Sequence, residues 1–226
     1  MRRVKTTIPG LDEILQGGFP SPSTVLVYGP PGSYKTIFGL QYIYYGARDL
    51  GEPGIYIQIE GYKETLVWYA ELFGWDFAKE QKSNRLVIYS FLPIDYSKFE
   101  LENLNSEVIT KLSGVIDDLR IKRIVIDSIT PLCLWFNNDS EFRAVLYYLS
   151  RTFKEKGCNT LFISEKREHM PEKYVVDGII HMDITERGDA VFHTLSIEKM
   201  IATGVDYSKY YVNLTQDGLQ LSFSRL

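Results

Sequence analysis

One stretch of thirteen residues, 24–36, constrains this chain more than any other. Thr24-Val-Leu-Val-Tyr28 is a β-branched, apolar run. Gly29, Pro30, Pro31, Gly32, Ser33, Tyr34, Lys35 and Thr36 follow directly, and a helical pattern starts at Lys35. Strand, glycine-containing turn and helix in that order bring a helix N-terminus to the end of a strand. Unpaired backbone N–H groups and the positive end of the helix dipole meet there, so a polyphosphate settles on the turn. Lys35 is placed to neutralise the outer phosphates, and the Thr36 hydroxyl to hold Mg²⁺.

The loop departs from the phosphate-loop (Walker A) pattern at one position. Gly-x-x-x-x-Gly-Lys-[Ser/Thr] asks for glycine before the lysine, and this chain has Tyr34. Glycine suits that position because backbone must approach phosphate closely with no Cβ in the way. The loop alone leaves the fold undecided, and the remaining elements decide it.

A short helix is expected within 8–20, with Leu11, Ile14 and Leu15 on one face and Gly17-Gly18 as its stop. Strands are expected at Thr24–Tyr28, Gly54–Ile59, Leu86–Tyr89, Arg123–Asp127 and Thr160–Ser164. Helices are expected at about 35–49, 64–73, 108–120 and 141–156. From Gly178 the texture becomes strands only: 178–184, 190–200, 210–214 and 219–223, with turns at Arg187-Gly-Asp189 and Gln216-Asp-Gly218. Alternating strands and helices followed by hairpins predict an α/β fold, a mainly parallel twisted sheet flanked by helices with a C-terminal antiparallel extension. With 226 residues and no linker or repeat, the chain is expected to be one domain.

Net charge of −4 gives no bulk electrostatic footprint for nucleic acid. Cys133 and Cys158 are too few for a disulfide framework or a zinc site and read as small core residues. His169, His181 and His193 lack metal-ligand spacing and read as structural or solvent-facing. No stretch is long enough to span a bilayer and the N-terminus has no apolar signal region, so a cytoplasmic location is expected.

Three of the expected strands end in carboxylates: Glu60, Asp127 and Glu165. Ligands of open parallel sheets sit beyond the carboxyl ends of the strands, so these groups and the loop can converge on one nucleotide. Asp127, after Ile-Val-Ile and about ninety residues past the loop, has the form of a Walker B aspartate that holds Mg²⁺. Glu60 is a candidate base for the attacking water, or else a solvated strand-end carboxylate. Glu165 is a candidate γ-phosphate sensor, or else a loop residue beside Lys166 and Arg167.

At this point the residues resemble a family. Ile8-Pro-Gly-Leu-Asp-Glu-Ile-Leu-Gln-Gly-Gly-Phe-Pro20, Tyr56-Ile-Gln-Ile-Glu60, Leu72-Phe-Gly-Trp-Asp76, Ile124-Val-Ile-Asp-Ser128, Val176-Asp-Gly-Ile-Ile180 and Ile197-Glu-Lys-Met200 follow one another as in KaiC-like and RadA-like members of the RecA superfamily. The chain is most similar to single-domain KaiC-like ATPases of archaeal type. That resemblance implies a RecA-like P-loop NTPase core binding ATP and Mg²⁺, in a homo-oligomer with nucleotide at subunit interfaces. A hexamer is among the expected forms, and a protein partner is compatible. It places the catalytic glutamate at Glu60, the Walker B aspartate at Asp127 and the sensor at Glu165. It also implies that Lys199 reaches the γ-phosphate of a neighbouring subunit's ATP. Against the family pattern, Tyr34 replaces the loop glycine, Gly61 replaces a second carboxylate, and Ile201 replaces the arginine of Lys-Met-Arg.

Three functions follow as expectations. The first is a KaiC-like ATP-binding protein with slow Mg-dependent ATPase activity, coupled to oligomer or partner regulation. The second is a degenerate RecA-fold regulatory protein with weak or no nucleotide binding, favoured by Tyr34 and Ile201. The third is a recombinase paralogue binding single-stranded DNA through Lys166, Arg167, Lys173 and Tyr174, which the interleaved Glu165, Glu168 and Glu172 disfavour. The tyrosine clusters at 42–45 and 147–148 suit either subunit interfaces or half-buried helix faces.

Overall fold

The computed structural model describes residues 1–91, 109–136 and 138–225. Its centre is a nine-stranded sheet, flanked at one corner by the small pair β1 (Arg3–Val4) and β2 (Phe19–Pro20). The large sheet contains β3 (Thr24–Gly29), β4 (Gly54–Ile59), β5 (Leu86–Phe91), β6 (Arg123–Asp127), β7 (Asn159–Glu165), β8 (Gly178–Arg187), β9 (Ala190–Met200), β10 (Lys209–Thr215) and β11 (Gly218–Arg225). Their spatial order is β11-β10-β9-β8-β3-β7-β6-β4-β5. From β8 to β5 the pairings are parallel, whereas β9, β10 and β11 run antiparallel to their neighbours. The expected fold class is therefore the observed one.

Parallel strands buried on both faces read as continuous apolar runs, and here the alternation of side chains sorts them into two cores. Val25, Val27, Tyr56, Val125, Leu161 and Ile163 face the layer formed by α2 (Lys35–Leu50) and α3 (Lys63–Leu72). Leu26, Ile55, Ile57, Ile124, Ile126 and Phe162 face the layer of α5 (Ile109–Asp118) and α6 (Asp139–Glu155). On the α2 side helix and sheet approach closely. A Cβ on Gly39 would come within 2.8 Å of Ile163, and one on Gly46 within 2.4 Å of Arg123. Arg123 is fully buried, where it donates to Glu52 at 2.6 and 2.8 Å and to the Tyr42 carbonyl at 2.9 Å.

Several boundaries differ from expectation for local reasons. Helix α6 starts at Asp139, two residues before the expected Glu141, because Asn138 Oδ1 accepts from the N–H groups of Ser140 and Glu141, both at 3.0 Å. The expected 8–20 helix shrinks to one turn, α1 (Leu11–Ile14). A helix that periodicity did not reveal, α4 (Phe77–Lys82), is capped by Asp76, whose carboxylate accepts from Lys79 N. Of the helix expected at 108–120, residue 108 lies outside the described residues. Tyr42 and Tyr44 are buried within the monomer core and cannot cover an interface, whereas Tyr147 and Tyr148 are exposed. Cys158 is a core residue as expected, and Cys133 is partly buried beside the second core.

Candidate functional site

The turn between β3 and α2 is walled on one side by the β8–β9 hairpin. The approach is so close that a Cβ on Gly29 would lie 1.9 Å from the Met182 carbonyl oxygen. Gly32 (φ 81°) and Tyr34 (φ 70°, ψ 16°) are both left-handed. Glycine adopts that conformation freely, and a tyrosine adopts it at a cost. The Tyr34 ring is stacked on His193 of β9, with centroids 3.8 Å apart and planes 21° from parallel.

Lys35 is nearly buried at the N-terminus of this sixteen-residue helix, whose first turn carries no acid. Its ammonium donates to the carbonyls of Gly29 (2.9 Å) and Pro30 (2.8 Å), and among the described residues it forms no ion pair. Burial pushes its pKa below the ordinary lysine value, while the charges of Asp127 and Glu165 pull it back up. A buried cation held only by neutral groups among the described residues, two carbonyls and the Ser33 hydroxyl, beside a helix N-terminus, fits an anion such as a phosphate chain.

Across the turn, Asp127 Oδ2 accepts from two hydroxyls: Thr36 Oγ1 at 2.8 Å and Tyr56 at 2.5 Å. Burial raises the Asp127 pKa, and the two hydrogen bonds and Lys35 oppose it. Tyr56 is fully buried, and burial together with the Asp127 charge holds its pKa well above the usual phenol value, so it is a donor here. Thr36 and Asp127 present hard oxygen ligands side by side, which suits Mg²⁺ better than a softer metal.

The sheet register carries the remaining candidates to the same edge. Gly29 pairs with Glu165, and Gln58 with Asp127, so Glu60 stands two residues beyond the Asp127 level. Both glutamates are exposed, and Glu60 has a left-handed φ of 58°. Glu165 is anchored through its N–H, which donates to Thr130 Oγ1 at 2.8 Å, and the next N–H, of Lys166, donates to the Gly29 carbonyl at 3.0 Å. Gly61 is the position of the missing second carboxylate. The Gln58 side chain lies over it so closely that a Cβ there would fall 2.2 Å from Gln58 Nε2.

Lys199 is not part of this constellation within one chain. It pairs with Ile179, which pairs with Leu26, three residues short of the phosphate turn. A β-bulge between Ile179 and Ile180 lets Glu198 and Lys199 both be exposed. Lys199 Nζ donates to the Val176 carbonyl at 2.6 Å. Glu198 accepts from the Tyr28 hydroxyl and, at 2.8 Å, from Lys173, whose ammonium also sits 4.0 Å above the Tyr28 ring. Arg167 is bound through two hydrogen bonds, 2.7 and 2.9 Å, to the buried Glu172. Two of the cations of the candidate basic segment are therefore engaged internally, which further weakens a nucleic-acid surface there.

Sequence reasoning missed Tyr56 and His193 as members of the site. Tyr56 carried a legible signal, a hydroxyl-tipped residue inside an otherwise apolar strand. His193 carried none, because only the fold of the β8–β9 hairpin brings it to residue 34.

Comparison with known proteins bears on the whole chain. The family model described as "ATPase: KaiC" matches residues 4–223. A UPF0273 protein of Pyrococcus horikoshii is 34% identical over 232 residues, covering 96% of this chain and 93% of that protein. The circadian clock oscillator protein KaiC of Synechococcus elongatus is 28% identical over 227 residues, 97% of this chain but 44% of its own length. Among solved structures, a KaiC-like protein of Pyrococcus horikoshii superposes with a TM-score of 0.86 at 32% identity, covering 98% of this chain and 99% of that one. With a family match over nearly its full length and a solved relative of the same overall fold, the chain belongs to the KaiC ATPase family.

Proposed function

We propose that this single-domain protein binds ATP with Mg²⁺ at the 29–36 turn and hydrolyses it slowly, the cycle serving oligomer or partner exchange. The observation that carries the proposal is the pairing of Lys35, buried with no direct ion pair among the described residues, with a Thr36–Asp127 oxygen pair 2.8 Å apart at the same helix start. Lys35 would release its two carbonyls to meet the β- and γ-phosphates, and Thr36 with Asp127 would hold the cation. When bound, Mg²⁺ would draw negative charge away from the transferred phosphoryl group. Glu60, at the exposed strand end, would orient and deprotonate the attacking water, and Glu165 would report the γ-phosphate.

Slow turnover follows from the absent cation. Ile201 stands where the family has arginine, and a missing arginine at a phosphoryl-transfer site lowers the rate by roughly 10³-fold or more. Lys199 is left to act on a neighbouring chain's nucleotide, since its own phosphate turn lies away along the sheet. An oligomer is supported independently by α3, which starts just after Glu60 and exposes Trp68 and Leu72 together with Tyr62 at its N-terminus. An exposed apolar face of this kind marks a contact surface. No described helix is long and apolar enough to cross a membrane, which agrees with the cytoplasmic location we propose.

The test compares phosphate release and ATP affinity in Glu60→Gln and Lys35→Ala. Glu60→Gln should keep affinity within a few-fold and lose turnover by about 10²-fold or more, whereas Lys35→Ala should lose affinity. Unchanged phosphate release in Glu60→Gln would remove Glu60 from the chemistry. The second reading, a degenerate RecA-fold regulator, is favoured by Tyr34 and Ile201, and it requires that the natural protein bind nucleotide weakly or not at all.

A further inference from the structure

Residue 34 poses a local problem. It caps α2 in a left-handed conformation, the last step before Lys35, and a side chain there resists that conformation where glycine would not. Its ring lies on His193, 3.8 Å away and close to parallel, and His193 comes from β9, far along the chain. The imidazole is packed within the β8–β9 hairpin beside the turn. It stands opposite Ile184, whose side chain reaches toward Gly32 of the same turn, and its Nδ1 is buried with no hydrogen-bond partner among the described residues. Burial also holds the imidazole pKa below 6.5, so the ring is neutral near pH 7.

We propose that His193 is a positioning residue for the phosphate turn: by stacking on Tyr34 it holds residue 34 left-handed, aiming the N–H groups at the start of α2 into the phosphate-binding turn. This deepens the nucleotide-binding reading given above and rests on it. In a turn with glycine at residue 34 the backbone reaches this shape unaided. Here the shape is imposed from the β8–β9 hairpin, so nucleotide affinity depends on a residue that touches no phosphate. The stack also explains how a bulky ring is accommodated in the loop, because the ring is packed against the hairpin wall. Movement of that hairpin would loosen the turn in this chain and would not in one with glycine at residue 34.

The test is a double-mutant cycle on Mg-ATP binding by calorimetry, using the full chain, His193→Ala, Tyr34→Gly and the double variant. Circular dichroism and thermal unfolding check that each is folded. His193→Ala should weaken binding by about tenfold, 1.4 kcal/mol, in the natural background and by no more than about twofold when residue 34 is glycine. His193→Phe, which keeps a ring, should stay near the natural affinity and covers the case in which His193→Ala fails to fold. Equal loss in both backgrounds, no loss in either, or a His193→Phe protein as weak as His193→Ala would overturn the pairing while leaving nucleotide binding intact. Absence of binding by the natural protein and every variant would overturn the binding reading and this inference with it.

Discussion

Replacing Tyr56 by phenylalanine removes one oxygen and tests the polar centre of the site. That hydroxyl donates to Asp127 Oδ2 at 2.5 Å from a fully buried ring. A hydrogen bond to a charged group contributes about 1.5–3 kcal/mol, and the void left is too small for a water to restore it. For a chain of this length each kcal/mol shifts the thermal midpoint by about 2–4 °C. The expected loss is therefore roughly 3–12 °C at neutral pH. The sign with pH follows from Asp127. Burial raises its folded pKa above the ordinary carboxylate value, so the ionised group disfavours the native state as pH climbs through that folded pKa. Tyr56 offsets this penalty only while Asp127 is charged. Below the folded pKa the bond joins neutral groups and is worth about 1 kcal/mol, so the deficit of Tyr56→Phe should shrink on acidification. Circular-dichroism melts of both proteins in metal-free buffer across a pH series read this directly. A midpoint change under about 2 °C, or a deficit that does not vary with pH, would refute the assignment of Tyr56 as the anchor of Asp127.

Three further outcomes are expected. Arg123→Ala leaves Glu52 without the guanidinium that holds it at 2.6 Å, and should cost about 3–5 kcal/mol in denaturant unfolding, against under 1 kcal/mol for the exposed Arg151→Ala. Gly29→Ala puts a Cβ 1.9 Å from the Met182 carbonyl, and should abolish nucleotide-induced stabilisation in a thermal-shift assay or prevent folding outright; a variant that folds and binds like the natural protein contradicts the hairpin wall. His181 is stacked on Tyr28, and burial depresses its pKa below 6.5 despite nearby Asp183 and Glu198, with Lys166 and Lys173 reinforcing the shift. The unfolded chain then binds the proton more readily, so this stability is full above pH 6.5 and lost as pH falls through the folded pKa. His181→Phe should flatten the dependence of the urea midpoint between about pH 7 and 5.

Much of this was legible in the chain because it is written in short-range patterns. Apolar runs ending in a polar residue gave the parallel strands, and the strand–turn–helix order from Thr24 to Lys35 gave the phosphate turn. Asp127 was legible for the same reason, as a carboxylate at the end of Ile-Val-Ile, and the structure places it against Thr36. What escaped depends on long-range contact. Stacking of Tyr34 on His193 requires the β8–β9 hairpin to fold back along the loop, and no local pattern announces that. The mixed charge of the Lys166–Lys173 segment was legible as a reason to disfavour a basic patch, but the particular pairings were not, because Glu172 and Glu198 reach Arg167 and Lys173 only through the turn at Pro171–Tyr174 and the β9 bulge. The short α4 was missed because one and a half turns carry too little periodicity, although Asp76 marked its start.

Calorimetric titration of the purified protein with Mg-ATP, beside Lys35→Ala and with phosphate release followed in the same cell, tests the central claim most directly. The expected result is a dissociation constant on the order of 1 μM, about −8 kcal/mol, slow phosphate release, and loss of the binding heat in Lys35→Ala. No heat with the natural protein at millimolar ATP, or an unchanged isotherm in Lys35→Ala, would contradict a nucleotide site at the 29–36 turn.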